Sequence, residues 1–248
     1  MKLCLLTYDC PHLKTLQVLN GLQKRGFVDV DFLLVPFARR ADRNALFRHR
    51  PQQFGGPTPH QVATFSGRSI YPYSFWPAML ERYDYFLVCG ANLIEAEFAN
   101  SGKILNVHAG LIPAVRGLDA FKWAILTGQP LGNTLHRIDA EADAGEVLAH
   151  LPTPVFTDDS LQTLAARHYA NEIWMLSHFD HALAGGEKHP SLAPSAPMRR
   201  MSVAVEAEMI RSFITYRAKY AIPSSGSNPM KQLLRGPKLQ SGSIVSDD

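Results

Sequence analysis

Cysteine is scarce in this 248-residue chain. Cys4, Cys10 and Cys89 are its three thiols, and none forms a C-x-x-C pair. That excludes a disulfide framework and a zinc knuckle. Cys4 and Cys89 sit in apolar runs and are expected to be buried core residues in a reducing cytoplasm. Long hydrophobic runs are also missing. None approaches the roughly 18 residues of a membrane span, and the apolar stretch within MKLCLLTYDC is too short for a signal peptide. No membrane partner is expected. Charge of one sign is in short supply too: 25 Lys and Arg against 22 Asp and Glu give a formal +3. That is too little to draw a nucleic acid by itself, and none is expected. The excess is local. Residues 1–189 hold 17 basic and 18 acidic residues, whereas 190–248 hold 8 and 4. With 46% hydrophobic and 19% charged residues, the chain is globular rather than disordered. It is long enough to bury a core without staples.

Hydrophobic patterning orders the elements. Residues 2–7 (KLCLLT) predict a buried strand. Leu13, Leu16, Val18, Leu19 and Leu22 recur at helical spacing up to Arg25-Gly26, where the glycine ends the helix. Residues 27–35 (FVDVDFLLV) predict a second strand, and this β-α-β order implies a parallel pair. A helix is expected near 41–48, followed by a loop to 70, and an amphipathic helix over 73–83. Strands are expected at 85–89, 103–107, 131–138 and 146–155, with short helices at 94–99 and 121–127. Asp158-Asp159-Ser160 starts a helix running to about 183. A Pro/Ser-rich linker covers 189–197, a helix spans Val205 to about Tyr220, and a Gly/Ser/Pro-rich tail follows. The expected fold class is α/β, a mostly parallel sheet flanked by helices, with domains at 1–188 and 189–248, the latter a linker, helix and flexible extension.

The densest polar cluster is Asn106-Val107-His108 and the loop through Arg116-Gly117. Two residues apart on an extended segment, Asn106 and His108 share one face. They end an apolar strand, and open α/β sheets bind ligands beyond that edge. The glycines and Pro113 suit close backbone approach to a ligand. An acidic turn, Asp139 to Gly145, follows the next strand. Asp143 there could hold the turn or do chemistry.

The stretch LNVHAGLIPAVRGLDAFKWAILTG, continuing through GNTLHRIDAEADAGEVL, resembles the folate-dependent formyltransferases. Their pattern is N-x-H-x-S-x-L-P-x-x-R-G, then a helix and a D-x-G turn. The resemblance covers about residues 84–150 and extends to 1–183 through element order. It implies a Rossmann-like formyltransferase core that moves a formyl group from 10-formyltetrahydrofolate to a primary amine, without a metal. It assigns catalysis to Asn106, His108 and Asp143. It places the folate against Gly90, Ala91, Asn92, Leu93 and Ile94, and against Ile138, Asp139, Ala140 and Glu141. Phe86, Val88 and Leu105 are either apolar walls of that site or ordinary core, and Arg116 either orients substrate or pins the loop. Gly110 stands where the family often has serine, a change expected to leave the three catalytic positions untouched.

The chemistry agrees with these residue types. Negative charge develops on the formyl oxygen as the amine attacks, and the Asn106 amide and a protonated His108 can donate to it. Asp143 can take the amine's proton or pair with His108. Among family branches, no C-terminal OB-type domain is recognisable, which disfavours a methionyl-tRNA acceptor. The segment after the first strand, Thr7 to His12, lacks the glycines of a phosphate cradle, which disfavours glycinamide ribonucleotide. An N-terminal regulatory domain, usual in formyl-folate hydrolases, is also not expected. A nucleotide-linked 4-amino sugar destined for surface polysaccharide such as O-antigen is the leading acceptor. Another small amine, hydroxyornithine-like or glycinamide ribonucleotide, and a non-catalytic folate- or nucleotide-binding module are the alternatives. Val205, Met209, Phe213 and Tyr216 form either a homodimer face or a packing helix.

Overall fold

The structure is a computed structural model and describes residues 1–37, 44–92, 94–141, 143, 145–185 and 196–224. Its seven-stranded sheet comprises β1 (Leu3–Tyr8), β2 (Val30–Val35), β3 (Ile70–Pro72), β4 (Tyr85–Val88), β5 (Ile104–His108), β6 (Gly132–Arg137) and β7 (Val147–Pro152), in the order β3-β2-β1-β4-β5-β6-β7. The first five run parallel, and β6 pairs antiparallel with both β5 and β7. The direction of winding reverses between β1 and β4, the position where such sheets leave a crevice at their carboxyl edge. This is the mostly parallel α/β architecture expected.

Strand alternation divides the core. Leu3, Leu5, Leu87, Leu105 and Val107 pack against α1 (Leu13–Lys24) and α6 (Leu161–Ser177). Cys4, Leu6, Phe86 and Ile104 face the other way, with Trp76, Met79 and Phe98. The period of two puts Asn106 and His108 on the Ile104 side, opposite Leu105 and Val107. A third cluster joins α5 (Ala120–Thr127), the start of α6 and α8 (Val203–Tyr220). Met209, Phe213 and Tyr216 lie inside it. The face of α8 weighed as a dimer surface is therefore spent within the chain. Two of its basic residues also work locally: Arg217 donates to the Asp159 carbonyl at 2.6 Å and Lys219 to that of Gly128 at 3.0 Å.

Several expectations change. Residues 44–48 are not helical, and 41–43 lie outside the described residues. Tertiary contacts claim this segment: Phe47 packs on Phe121, the Leu46 amide donates to Glu206 at 2.8 Å, and Arg50 reaches Glu172. The loop expected over 49–70 contains α2 (Pro59–Ser66), started by a reciprocal Thr58–Gln61 cap, and the edge strand β3. Pro59 takes the first helical position, where its missing N–H costs nothing. The helix expected over 73–83 shrinks to a 3-10 turn at 73–75 and α3 (Trp76–Met79). The short helix expected from 94 is α4 (Ala96–Ala99). The long helix breaks at His178 into α6 and α7 (Phe179–Gly185). The strand expected over 146–155 ends as β7, and β8 (Val155–Phe156) pairs with β9 (Ala221–Ile222) in a separate ribbon. Among the described residues no helix is long and apolar enough to cross a membrane.

Candidate active site

The carboxyl end of β5 assembles the site. Asn106 lies directly opposite His136 of β6, so the two side chains share a face and meet: the Asn106 amide donates to His136 Nε2 at 3.0 Å. Accepting there leaves the ring proton of His136 on Nδ1. That nitrogen is buried and has no partner among the described residues. Two residues on, His108 Nε2 lies 3.0 Å from the Val115 carbonyl, which can only accept. His108 Nδ1 therefore faces Asp143 Oδ1, 3.4 Å away. Asp143 Oδ1 is also 3.9 Å from His136 Nε2, and Asp143 Oδ2 accepts from the Gly117 amide at 3.0 Å. The fold thus brings Asn106, His108 and Asp143 together from β5 and the turn after β6.

His136 is the member that motif reading overlooked. Its signal was available: a histidine near the end of a strand, closely followed by the acidic turn. Only the antiparallel register shows that it faces Asn106.

Burial pulls His108 below the ordinary imidazole value, with the Asp143 carboxylate and the Val115 carbonyl pushing back. The neutral ring is thus favoured at neutral pH, contrary to the protonated donor expected from the motif. A neutral ring with its proton on Nε2 leaves Nδ1 and Asp143 Oδ1 as two acceptors facing one another. A proton arriving between them would be held by both. Burial drives His136 down to about 4, again opposed by Asp143.

The loop beyond β5 is pinned from beneath. Thr134 Oγ1 donates to the Gly110 carbonyl at 2.7 Å and accepts from the Ile112 amide at 3.0 Å. Gly110 fits its surroundings closely. A Cβ there would lie 2.7 Å from the Val115 carbonyl oxygen and 3.0 Å from His108 Nε2, the two atoms of the hydrogen bond just described. Gly110→Ser is therefore expected to displace that bond and destabilise by about 1–3 kcal/mol. Its urea midpoint should fall with unchanged slope.

The two segments expected to hold folate lie beside this cluster. Val88, Ala91, Ile94 and Ile138 are partly buried on the same side of the sheet. Phe86 and Leu105, by contrast, are fully buried core. The Ala91 carbonyl accepts from Tyr8 at 2.6 Å, and Asn92 donates to the Pro36 carbonyl at 2.8 Å. Asp139, Ala140 and Glu141 are exposed on the acidic turn, and Leu93 lies outside the described residues. Arg116 is buried at the loop end, 4% exposed, beside the carbonyl that the Met198 amide reaches. Its burial suits pinning the loop. An amide donor, an imidazole and a carboxylate next to a partly apolar rim fit a folate-borne formyl group chemically. Among the described residues no group of three His, Cys, Asp or Glu side chains is placed to hold a metal ion.

Other histidines are buried close by. Burial holds His12 and His168 down to about 3. The unfolded chain has ordinary imidazoles, so between about pH 6.5 and these values it binds more protons than the folded chain. Stability is then complete above about pH 6.5 and falls as pH drops below it, by about 1.4 kcal/mol per pH unit for each such histidine. Denaturation melts between pH 7.5 and 5 should show a steep fall in Tm.

Comparison with known proteins agrees with this geometry. The formyl transferase family matches residues 83–179. A phosphoribosylglycinamide formyltransferase of Haemophilus influenzae is 37% identical over 68 residues, which span 27% of this chain and 32% of that enzyme. Two solved structures share the fold. A sugar N-formyltransferase from a Shewanella species has a TM-score of 0.56 and 17% identity, covering 86% of this chain and 88% of that one. A formyltransferase from Anoxybacillus kamchatkensis, solved with a UDP-linked formamido sugar and tetrahydrofolate, has a TM-score of 0.50 and 17% identity, covering 80% and 85%. Asn106, His108 and Asp143 all lie inside the stretch 83–179 that the formyl transferase family matches.

Proposed function

We propose that this chain is an N-formyltransferase, moving the formyl group of 10-formyltetrahydrofolate to a primary amine. The observation that carries the reading is the meeting of the Asn106 amide, the His108 ring and the Asp143 carboxylate at the end of β5. The amine nitrogen bonds to the formyl carbon, and the carbonyl electrons move onto oxygen. The remaining Asn106 N–H stabilises that oxygen. The amine's proton passes to the gap between Asp143 and His108 Nδ1. As the carbonyl re-forms, the bond from the formyl carbon to folate nitrogen breaks, and that nitrogen leaves with a proton. Products are the formamide and tetrahydrofolate, with no covalent enzyme intermediate. The catalytic domain is taken as 1–188, with 189–248 as its extension. The folate is placed along Gly90–Ile94 and Ile138–Glu141. The tetrahydrofolate held by the Anoxybacillus relative supports this donor.

For the acceptor we propose a nucleotide-linked 4-amino sugar. The end of β1 and the segment after it carry Tyr8, Asp9 and Pro11 in place of glycines. The Tyr8 ring packs so closely on Gly90 that a Cβ there would lie 2.6 Å from it, so the end of β1 presents an aromatic ring and not glycine backbone. Relatives that act on or hold amino sugars span 80–86% of this chain and support it, while phosphoribosylglycinamide formyltransferase structures span 75–78%. A second reading, glycinamide ribonucleotide, is favoured by the local identity to the Haemophilus enzyme. The test is release of tetrahydrofolate with dTDP-, UDP- and GDP-linked 4-amino sugars, glycinamide ribonucleotide and hydroxyornithine. Turnover with glycinamide ribonucleotide alone would overturn the sugar assignment. Folate binding with no turnover on any amine would make the chain a binding module.

A further inference from the structure

The Asp143 carboxylate has its proton-facing oxygen, Oδ1, turned to His108 and His136. Its other oxygen is held by the Gly117 backbone amide. Asp143 itself sits on a turn with a positive φ of 51°, a conformation that needs outside support in a non-glycine residue. The orientation of Asp143 therefore follows the position of Gly117.

Gly117 in turn is held from far along the chain. The Met198 amide donates to the Arg116 carbonyl at 2.8 Å, and the Leu118 amide donates to the Met198 carbonyl at 2.9 Å. Gly117 and Met198 thus form a parallel backbone bridge across 81 residues of sequence. The approach is close enough to demand glycine: φ is +88°, and a Cβ would lie 2.4 Å from the Met198 carbonyl oxygen. The segment carrying Met198 is itself fastened. Trp123 Nε1 donates to the Arg199 carbonyl at 2.7 Å, and the Met201 amide donates to Asp119 at 3.0 Å. The Met201 side chain is buried in the cluster of α5 and α8.

We propose that Met198–Met201 is a positioning strap, which sets the Asp143 carboxylate against His108 by fixing the Gly117 amide. Residue 198 acts through its backbone and not its side chain. The inference deepens the formyl-transfer reading and rests on it for the role of Asp143.

Met198→Pro tests it, because proline removes the amide that donates to Arg116 while leaving the three site side chains in place. Gly117→Ala approaches the same contact from the loop side. Both variants are expected to lower kcat at least tenfold, with KM for 10-formyltetrahydrofolate within twofold of the parent. Met198→Ala, which keeps the backbone, is expected to retain parental kcat. In nuclear magnetic resonance titrations, His108 should protonate at lower pH in Met198→Pro than in the parent, because the carboxylate that favours its charged form has moved off. That readout does not require the amine to be known. A folded Met198→Pro protein with unchanged His108 titration would overturn the strap. So would equal loss in Met198→Ala. If the titration shifts but no amine supports turnover in the parent, the strap stands and the formyl-transfer reading falls. Thermal melts of each variant separate loss of position from loss of fold.

Discussion

Asn106→Ala is expected to lower kcat for formyl transfer by about 100- to 1,000-fold, the effect of losing one preorganised donor to a developing oxyanion. The geometry explains why one amide should matter so much. Its nitrogen is committed on one side to His136 Nε2, which restrains the amide plane and leaves the other N–H to meet the substrate. The donor is thus oriented before substrate arrives and needs no reorganisation. KM for the folate should change little, because the bond strengthens only as charge develops. Asp143→Asn should cost at least as much by a different route. It keeps shape but removes the charge that draws the amine's proton. Its acid limb of activity should move to lower pH, because the carboxylate that raises His108 affinity for protons is gone. Steady-state kinetics over pH 5–9 check both.

Glu172→Gln is expected to destabilise the fold by about 3–5 kcal/mol, a large part of a domain's stability. Glu172 is 1% exposed and receives Lys14 Nζ at 2.5 Å as well as Arg50. Burial alone would raise its pKa, but the two cations outweigh it and hold the carboxyl at about 2. Removing the negative charge leaves the Lys14 ammonium, 4% exposed, without its counter-charge. The double replacement Lys14→Met with Glu172→Leu removes the buried pair together and should recover part of the loss. Arg50 is more exposed and can turn to solvent. Urea denaturation at pH 7.5 gives the comparison. A Glu172→Gln loss under 1 kcal/mol would mean that water already reaches the pair.

How much of this was legible beforehand follows from distance along the chain. Continuous apolar runs announced β1, β2, β4 and β5, because strands buried on both faces carry no polar alternation to confuse the reading. The N-x-H spacing announced the face shared by Asn106 and His108. What was lost lay in two places. Thr58, Pro59 and Gln61 fall within the stretch expected as loop, although proline after a capping threonine opens a helix as readily as it ends one. The stretch near 41–48 reads as helical locally, but Glu206 claims the Leu46 amide from 160 residues away, and Glu172 claims Arg50 just beyond it from 122. The same blindness hid His136, whose partner Asn106 is 30 residues distant. It hid Met198 too, whose only signal is a glycine at 117. Gly110 shows the converse: the motif marks only a missing hydroxyl, whereas the close approach of His108 and Val115 leaves little room for a side chain there.

The most direct measurement is the amine-dependent release of tetrahydrofolate from 10-formyltetrahydrofolate, by the parent and by Asn106→Ala and Asp143→Asn side by side. The expected result is stoichiometric tetrahydrofolate and formamide with at least one amine, lost in both variants while folate binding persists. Parental rates in either variant, or no amine-dependent release by a parent that binds folate, would contradict formyl transfer at this site.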